Sequence, residues 1–442
     1  MKRYRDYVSE IESITRTVAS GVALSKEDSI RPILDGQPRE ILKSTISTEK
    51  RRKAGAFFTP KTLAEALVTP VKDKIRAGAR LLDPACGAGD LLLACTKFLP
   101  VGSSFEETIR IWGTLLQGRD INEQFIRTTR ARLILAAASR RNPSKGLRFS
   151  LDSAFPDIKV ANSLEEVPDL SQTSLILLNP PFLKVKVTLD SACFSKKSLK
   201  SQAAIFLEKY VSASLPDTEI LAILPDVLRS GSFYKKWREW IGQHAAVGEC
   251  CTLDQFDKWT DIHVFTVRLA RLPKPLSVSP STTWWEVKAN PSNSTWKVAD
   301  LFQVHVGPVV PHRDRKAGTT FPFIHAKALR PWGLHSSKAI EETRRFKGRV
   351  FNAPFVVIRR TSRPEDSERA IATIVQGDFA VAVENHLIVC SPRSEKLADC
   401  RELLKVLRSA KTSDWLNNRI RCRHLTVSAI KELPWGSTKH GC

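Results

Sequence analysis

The sequence predicts an α/β fold: a doubly wound, Rossmann-like sheet of mostly parallel strands, followed by a second domain. Three observations carry this. The apolar run Leu81-Leu82-Asp83 leads into Pro84-Ala85-Cys86-Gly87-Ala88-Gly89 and then into the helix-like stretch Asp90-Leu91-Leu92, a strand, a glycine turn and a helix in succession. A second apolar run, Ser174-Leu175-Ile176-Leu177-Leu178, stops at Asn179-Pro180-Pro181-Phe182. Across residues 51 to 270, short apolar runs alternate with helical stretches, as a parallel sheet with covering helices requires.

Residues 1–50 are polar, with Tyr4, Val8, Ile11, Ile14 and Val18 spaced by three or four. That spacing predicts an amphipathic helix that completes the core of the next domain rather than binding a partner. The domain itself spans residues 51–272. Its glycine loop permits close backbone approach, but no Lys-Ser/Thr pair follows to hold a triphosphate, and the third glycine of a dinucleotide fingerprint is missing. The run from Ile111 to Asp120 reads as a second strand ending, thirty-one residues after Gly89, in a carboxylate that could accept from ribose hydroxyls. The run from Leu147 to Asp152 alternates apolar and polar residues and reads as a third strand ending in an acid. For Asp152 the alternative is a surface acid in a turn.

At Asn179 the side-chain amide, two rigid prolines and an aromatic ring follow one another. Rigid backbone there lets the Asn179 side-chain oxygen and the Pro180 carbonyl face one exocyclic amine while Phe182 stacks on its ring. The competing reading is an ordinary strand-to-loop transition. Just beyond, Lys184, Lys186, Lys196, Lys197 and Lys200 lie on an expected loop, placed for phosphate contact or simply solvated. Phe233, Tyr234, Trp237 and Trp240 fall at helical spacing and are read as core, and His263 as a strand histidine. A Pro/Ser-rich stretch from Pro273 to Thr283 marks a joint, and a second domain is expected over 284–442. Its segments 304–310, 321–325 and 355–360 read as strands and turns without repeats.

With these motifs in place, the chain resembles the N6-adenine DNA methyltransferases of the amino-methyltransferase group, found in bacterial restriction-modification systems. Gly55-Ala56-Phe57-Phe58-Thr59-Pro60 resembles the first cofactor motif, Asp83 to Gly89 the glycine loop, Asp120 the ribose carboxylate, and Asn179 to Phe182 the catalytic tetrapeptide. Their order is similar to the gamma arrangement of that family. Leu221 to Pro225 with Leu228-Arg229-Ser230 is similar to a later strand and helix, which extends the likeness to about residue 270. Asp120 departs from the pattern, standing where many members carry glutamate.

The resemblance implies an S-adenosylmethionine-dependent methyltransferase domain with a C-terminal α+β DNA-recognition domain. It implies catalysis by Asn179, Pro180, Pro181 and Phe182, and no metal. It implies cofactor contacts from Phe57, Thr59, Pro60, Asp83, Pro84, Ala85, Gly87, Gly89, Asp120, Ile121 and Asp152. Double-stranded DNA is the implied substrate, with the target adenine turned out of the stack, and a cognate restriction endonuclease the implied partner. RNA bases or protein glutamine side chains remain alternative acceptors, and a non-catalytic DNA-binding specificity protein is the alternative outside enzymes.

Composition fits a nucleic-acid partner. The 442 residues carry a net charge of +23, and residues 301–442 hold 25 Lys/Arg against 13 Asp/Glu, which points to an anionic partner such as a nucleic acid, a solvated basic surface being the alternative. Lys184, Lys186, Arg313, Arg315, Arg359, Arg360 and Arg363 are the candidate DNA contacts, surface ion pairing being the alternative. Nine cysteines without a Cys-x-x-Cys pair speak against zinc. Their odd count, no hydrophobic signal segment and no apolar stretch able to span a bilayer lead to the expectation of a reduced, cytoplasmic protein with no membrane partner.

Overall fold

The structure, a computed structural model, describes residues 2–21, 26–54, 57–144, 150–186, 191–195, 198–256, 262–278, 284 and 296–435. The chain divides into two units, Met1–Arg229 with Lys235–Trp284 and Ser230–Tyr234 with Trp285–Cys442. In the first unit the strands are β1 (Leu81–Asp83), β2 (Leu116–Asp120), β3 (Ile158–Val160), β4 (Leu175–Leu178), a separate hairpin of β5 (Lys184–Lys186) and β6 (Leu199–Ser201), then β7 (Glu219–Pro225), β8 (Ala245–Gln255) and β9 (His263–Arg271).

Seven of these form one sheet in the order β3-β2-β1-β4-β7-β9-β8. The first five run parallel, whereas β9 lies antiparallel to β7 and β8 antiparallel to β9. Only seven residues separate β8 from β9, too few for the crossover that parallel neighbours need, and antiparallel pairing follows from that. From β1 the chain moves outward to β2 and β3, then returns to β4 on the other side of β1. Strand order reverses there, and the carboxyl ends of β1 and β4 open the crevice in which such sheets bind ligands. Asp83 and Asn179 border it.

The helices that position this crevice are α1 (Lys2–Ala19), α2 (Lys26–Leu34), α3 (Gln37–Thr45), α4 (Thr48–Ala54), α5 (Lys61–Val68), α6 (Lys72–Arg76), α7 (Asp90–Cys95), α8 (Phe105–Leu115) and α9 (Glu123–Arg140). The amphipathic spacing read in the first residues is α1, which buries Tyr4, Tyr7, Val8, Ile11 and Val18 in the core of the first unit. Arg127 of α9 donates to both Glu12 carboxylate oxygens at 2.7 Å, and the Tyr4 hydroxyl lies 3.4 Å from Thr128 Oγ1. Among the described residues no helix is long and apolar enough to cross a membrane.

Several expected elements end differently. Ile111 to Leu115 is the last turn of α8 rather than strand: Ser104 caps the helix, and Phe105, Thr108, Ile109 and Trp112 fall on one buried face, so the strand begins only at Leu116. Of the expected strand at Leu147 to Asp152, Leu147 to Phe149 lie outside the described residues, while Leu151–Ala154 forms one helical turn and the third strand comes later, at β3. The lysine segment after Phe182 contains the β5-β6 hairpin, with Lys184 opposite Ser201; Lys196 and Lys197 lie outside the described residues. Trp237 and Tyr234 are buried as core, but Phe233 is exposed. His263 is a buried residue of β9.

In the second unit, β10 (Phe302–Val306), β11 (Thr319–Ile324), β12 (Leu334–Ser336), β13 (Thr343–Phe346), β14 (Phe351–Asn352), β15 (Phe355–Arg359), β16 (Ala372–Gln376), β17 (Ala380–Val383) and β18 (Leu387–Pro392) form two sheets. Their orders are β10-β18-β15-β16-β12 and β13-β11-β17-β14. Three helices follow β18, and Thr426 caps the last, Val427–Glu432, by accepting from the Ala429 N–H. Unit one should depend on its first helix: Ile11→Ala, at a position 1% exposed, is expected to lower stability by about 2–5 kcal/mol, read from the urea midpoint.

Candidate active site

The glycine loop is shaped by its backbone. Gly87 and Gly89 have φ of 53° and 83°, the left-handed region where a side chain is strained. A Cβ on Gly87 would stand 3.2 Å from the Phe58 ring, and one on Gly89 would stand 2.7 Å from Thr129 Cγ2. Loop and neighbours are in contact.

Asp120, at the end of β2, ties that strand to the loop. Its Oδ2 accepts from the Gly87 N–H at 3.1 Å and its Oδ1 from the Asn122 N–H at 2.8 Å. Each oxygen keeps a lone pair for a further donor. Burial raises its pKa above the usual carboxylate range against these two hydrogen bonds. Ile121, the next residue, is 73% exposed, an apolar side chain in water beside a carboxylate. Asp83, at the end of β1, is buried and accepts from the Ala85 N–H at 3.1 Å. Burial, helped by the charges of Asp120 and Asp90, pushes its pKa up to about 8, with the Ala85 bond opposing.

Asn179 follows β4, and its Nδ2 donates to Thr59 Oγ1 at 2.7 Å. This bond joins residues 120 positions apart. Thr59 is buried, and the Pro60 carbonyl accepts from the Ala64 N–H to start α5. Phe57 is half-buried under the Arg51 guanidinium, while Gly55 and Ala56 lie outside the described residues. Phe182 is half-buried and meets Phe256 edge to face, with ring centres 5.6 Å apart. Pro84 and Pro180 are buried, and Ala85 and Pro181 are partly exposed. Asp152 sits in the helical turn Leu151–Ala154 instead of at a strand end, and its side chain lies outside the described residues.

A cavity of about 420 Å³ adjoins this cluster, lined by Thr59, Pro60, Asp90 and residues of α5, α7 and α9. Gly87, Asp120 and Asn179 do not line it. The crevice over the strand ends is therefore a separate place from this cavity between helices.

Residues 36–205 match the family model described as N-6 DNA Methylase. The chain carries an N-6 DNA methylase domain. A relative, the modification methylase CviBIII of Paramecium bursaria Chlorella virus NC1A, is 36% identical over 199 residues, 45% of this chain and 44% of that protein. The match thus spans less than half of the relative's length. Among solved structures, the Type IIL restriction-modification enzyme MmeI, determined in complex with DNA, aligns with a TM-score of 0.54 at 12% identity, covering 89% of this chain and 70% of that one. That likeness is one of fold.

Two residues of the methylase domain escaped the sequence reading. Thr129 Oγ1 donates to the Gly87 carbonyl at 2.9 Å. Arg132 is buried, and its guanidinium donates to the Ala88 carbonyl at 2.6 Å, to Asp90 Oδ1 at 2.8 Å and to the Ile33 carbonyl at 3.0 Å. The available signal was spacing, since Phe125, Thr129, Arg132 and Ala136 form one helical row, and an arginine on a buried row needs acceptors.

The candidate DNA contacts sort by exposure. Lys184 and Lys186 are exposed on β5, and Arg313, Arg315 and Arg363 are exposed. Arg359 and Arg360 are half-buried, Arg359 donating to the Leu329 carbonyl at 2.7 Å and Arg360 to the Asn385 carbonyl at 2.8 Å. Such guanidiniums bind the protein's own backbone.

Gly89→Ala is expected to destabilise the methylase domain by about 1–3 kcal/mol through its left-handed φ and the contact with Thr129. In a Thr129→Ser background, which removes Cγ2, the penalty should shrink. A double-mutant cycle in urea measures the difference.

Proposed function

We propose that this chain is a site-specific DNA methyltransferase that moves a methyl group from S-adenosylmethionine to the exocyclic N6 of an adenine turned out of duplex DNA. Its setting is a restriction-modification or related defence system, with a restriction endonuclease as partner. The observation that carries this reading is the Asn179–Thr59 hydrogen bond of 2.7 Å, because it brings the first and last motifs together beside the glycine loop. The relative's name, modification methylase, supports it.

The residues fit the cofactor. A glycine loop whose Cβ positions are blocked leaves backbone for a ligand to approach, Asp120 keeps free lone pairs for ribose hydroxyls, and exposed Ile121 offers an apolar surface to a purine ring. Thr59 and Pro60 would border the methionine end, Phe57 would line the same pocket, and Pro84 and Ala85 belong to the loop over whose backbone the cofactor would lie. When bound, S-adenosylmethionine supplies an electrophilic methyl on sulfonium.

The protein's task is alignment. Adenine's amine is a poor nucleophile because its lone pair is delocalised into the ring. With Nδ2 of Asn179 held by Thr59, its Oδ1 remains to accept from that amine, together with the Pro180 carbonyl. Both hydrogen bonds strengthen as the nitrogen turns tetrahedral, which is where catalysis gains. Holding the amine in line adds proximity, for which effective molarities of about 10⁵ M or more are available. Phe182 stacks on the extruded base, offsetting an unstacking cost of roughly a few kcal/mol.

Purified protein given labelled donor and genomic duplex is expected to form N6-methyladenine, and Asn179→Ala to abolish transfer while duplex binding persists. Transfer at wild-type rate by that variant would remove Asn179 from the mechanism. Loss of signal from a fluorescent adenine analogue in Phe182→Ala reads the stacking role.

A pH effect follows from Asp83. With its pKa near 8 in the free protein it is protonated at neutral pH, and a cationic cofactor beside it favours the ionised form, so binding releases a proton. Affinity for S-adenosylmethionine should therefore rise, by up to about tenfold per pH unit, until the pH passes about 8, and then level off. Calorimetric titration of Asp83→Asn should give a flat profile.

A further inference from the structure

Several long basic side chains of the second unit's helices meet a carboxylate: Lys405 pairs with Glu402, Arg408 with Glu368 and Arg419 with Glu432. Another group of cations is not held in this way. Arg313, Arg315 and Lys316 lie exposed between β10 and β11, and Arg345 and Lys347 lie exposed on and just after β13. Among the described residues none of these five takes part in an ion pair.

The two segments make one surface. β13 pairs antiparallel with β11, Phe346 opposite Thr319 and Arg345 opposite Thr320. Arg345 Nε donates to the Gly318 carbonyl at 3.1 Å, and Lys347 lies so near Gly318 that a Cβ there would come within 2.5 Å of Lys347 Cγ. β13 is also an edge of its sheet, so nothing in that sheet covers its outer side.

The loop is built rather than loose. Buried Arg344 donates to the carbonyls of Pro311 at 3.2 Å and Asp314 at 3.0 Å. Asp314, the one acid between residues 311 and 320, accepts from the Val310 N–H at 2.7 Å, and its charge is spent on the turn. The acids Glu341 and Glu342 precede the opposite end of β13, and Glu342 is engaged by His325 at 3.0 Å. What remains outward is positive.

We propose that the 311–318 loop and the edge strand β13 grip the sugar-phosphate backbone of duplex DNA, holding the duplex without reading its sequence. This rests on the DNA-methylation reading. Unpaired guanidiniums on a fixed turn match phosphate geometry, and cations without a carboxylate lose little on exchanging water for phosphate.

The test uses the full chain with a fluorescein-labelled duplex and anisotropy between about 50 and 200 mM salt. Arg313→Ala/Arg315→Ala/Lys316→Ala should make the log affinity against log salt slope shallower by about 0.9 for each phosphate that the protein no longer neutralises, so by about 2–3. Arg345→Ala/Lys347→Ala should do so by about 1–2, and both variants should keep the wild-type melting temperature. Lys405→Ala/Arg408→Ala, which removes paired cations, should leave the slope alone. Wild-type slopes in both surface variants overturn the proposal, as does a variant with wild-type slope that self-associates, which would identify the charges as protection of a bare edge strand. A wild-type chain that binds duplex but transfers no methyl group would sink the active-site reading and leave this surface to be judged on its slopes. No duplex binding by the wild-type chain overturns both.

Discussion

Thr129 and Arg132, one turn apart on α9, hold the carbonyls of Gly87 and Ala88, and the position of the glycine loop follows from that grip. The loop buries only the small side chains of Pro84, Cys86 and Ala88, and its two left-handed glycines carry large backbone entropy in the unfolded chain. Hydrogen bonds from a rigid neighbour compensate. Asp120 completes the hold from the far side by accepting from the Gly87 N–H. Because Asp120 ends β2 and Asp83 ends β1, the parallel pairing of these strands sets where both carboxylates stand.

The first helices reach the same loop. Arg132 also takes the Ile33 carbonyl of α2, and Tyr4 of α1 lies against Phe58 and Phe125. Phe58 in turn stands 3.2 Å from where a Cβ of Gly87 would be. The N-terminal helices are thus part of the methylase domain's support, joined to its loop by a buried cation and an aromatic cluster. A buried arginine with four acceptors is tolerable, and one deprived of them would leave an uncompensated charge.

Arginine is used in two ways across the chain. Arg132, Arg344, Arg359 and Arg360 donate to backbone carbonyls and fasten loops, whereas Arg313, Arg315 and Arg363 stand in water. Composition counts both alike. The excess of positive charge in the last part of the chain is therefore larger than the charge a polyanion would meet, and only burial separates the two populations.

The sequence by itself determined the strand-loop-helix at Leu81 to Leu92, the strand ending at Asn179 and the amphipathic first helix, because periodicity, glycine and proline act over a few neighbouring residues. It also determined which four motifs to seek, since their residue types and order are local text. Tertiary structure alone decided that Asn179 would meet Thr59 and that Arg359 and Arg360 would donate to backbone carbonyls. Those outcomes depend on partners far away in the chain: a hydroxyl 120 residues distant and loop carbonyls 30 and 25 residues distant. Local propensity contains no information about such partners, and hydrogen bonding and burial choose them only once the sheet has brought them together.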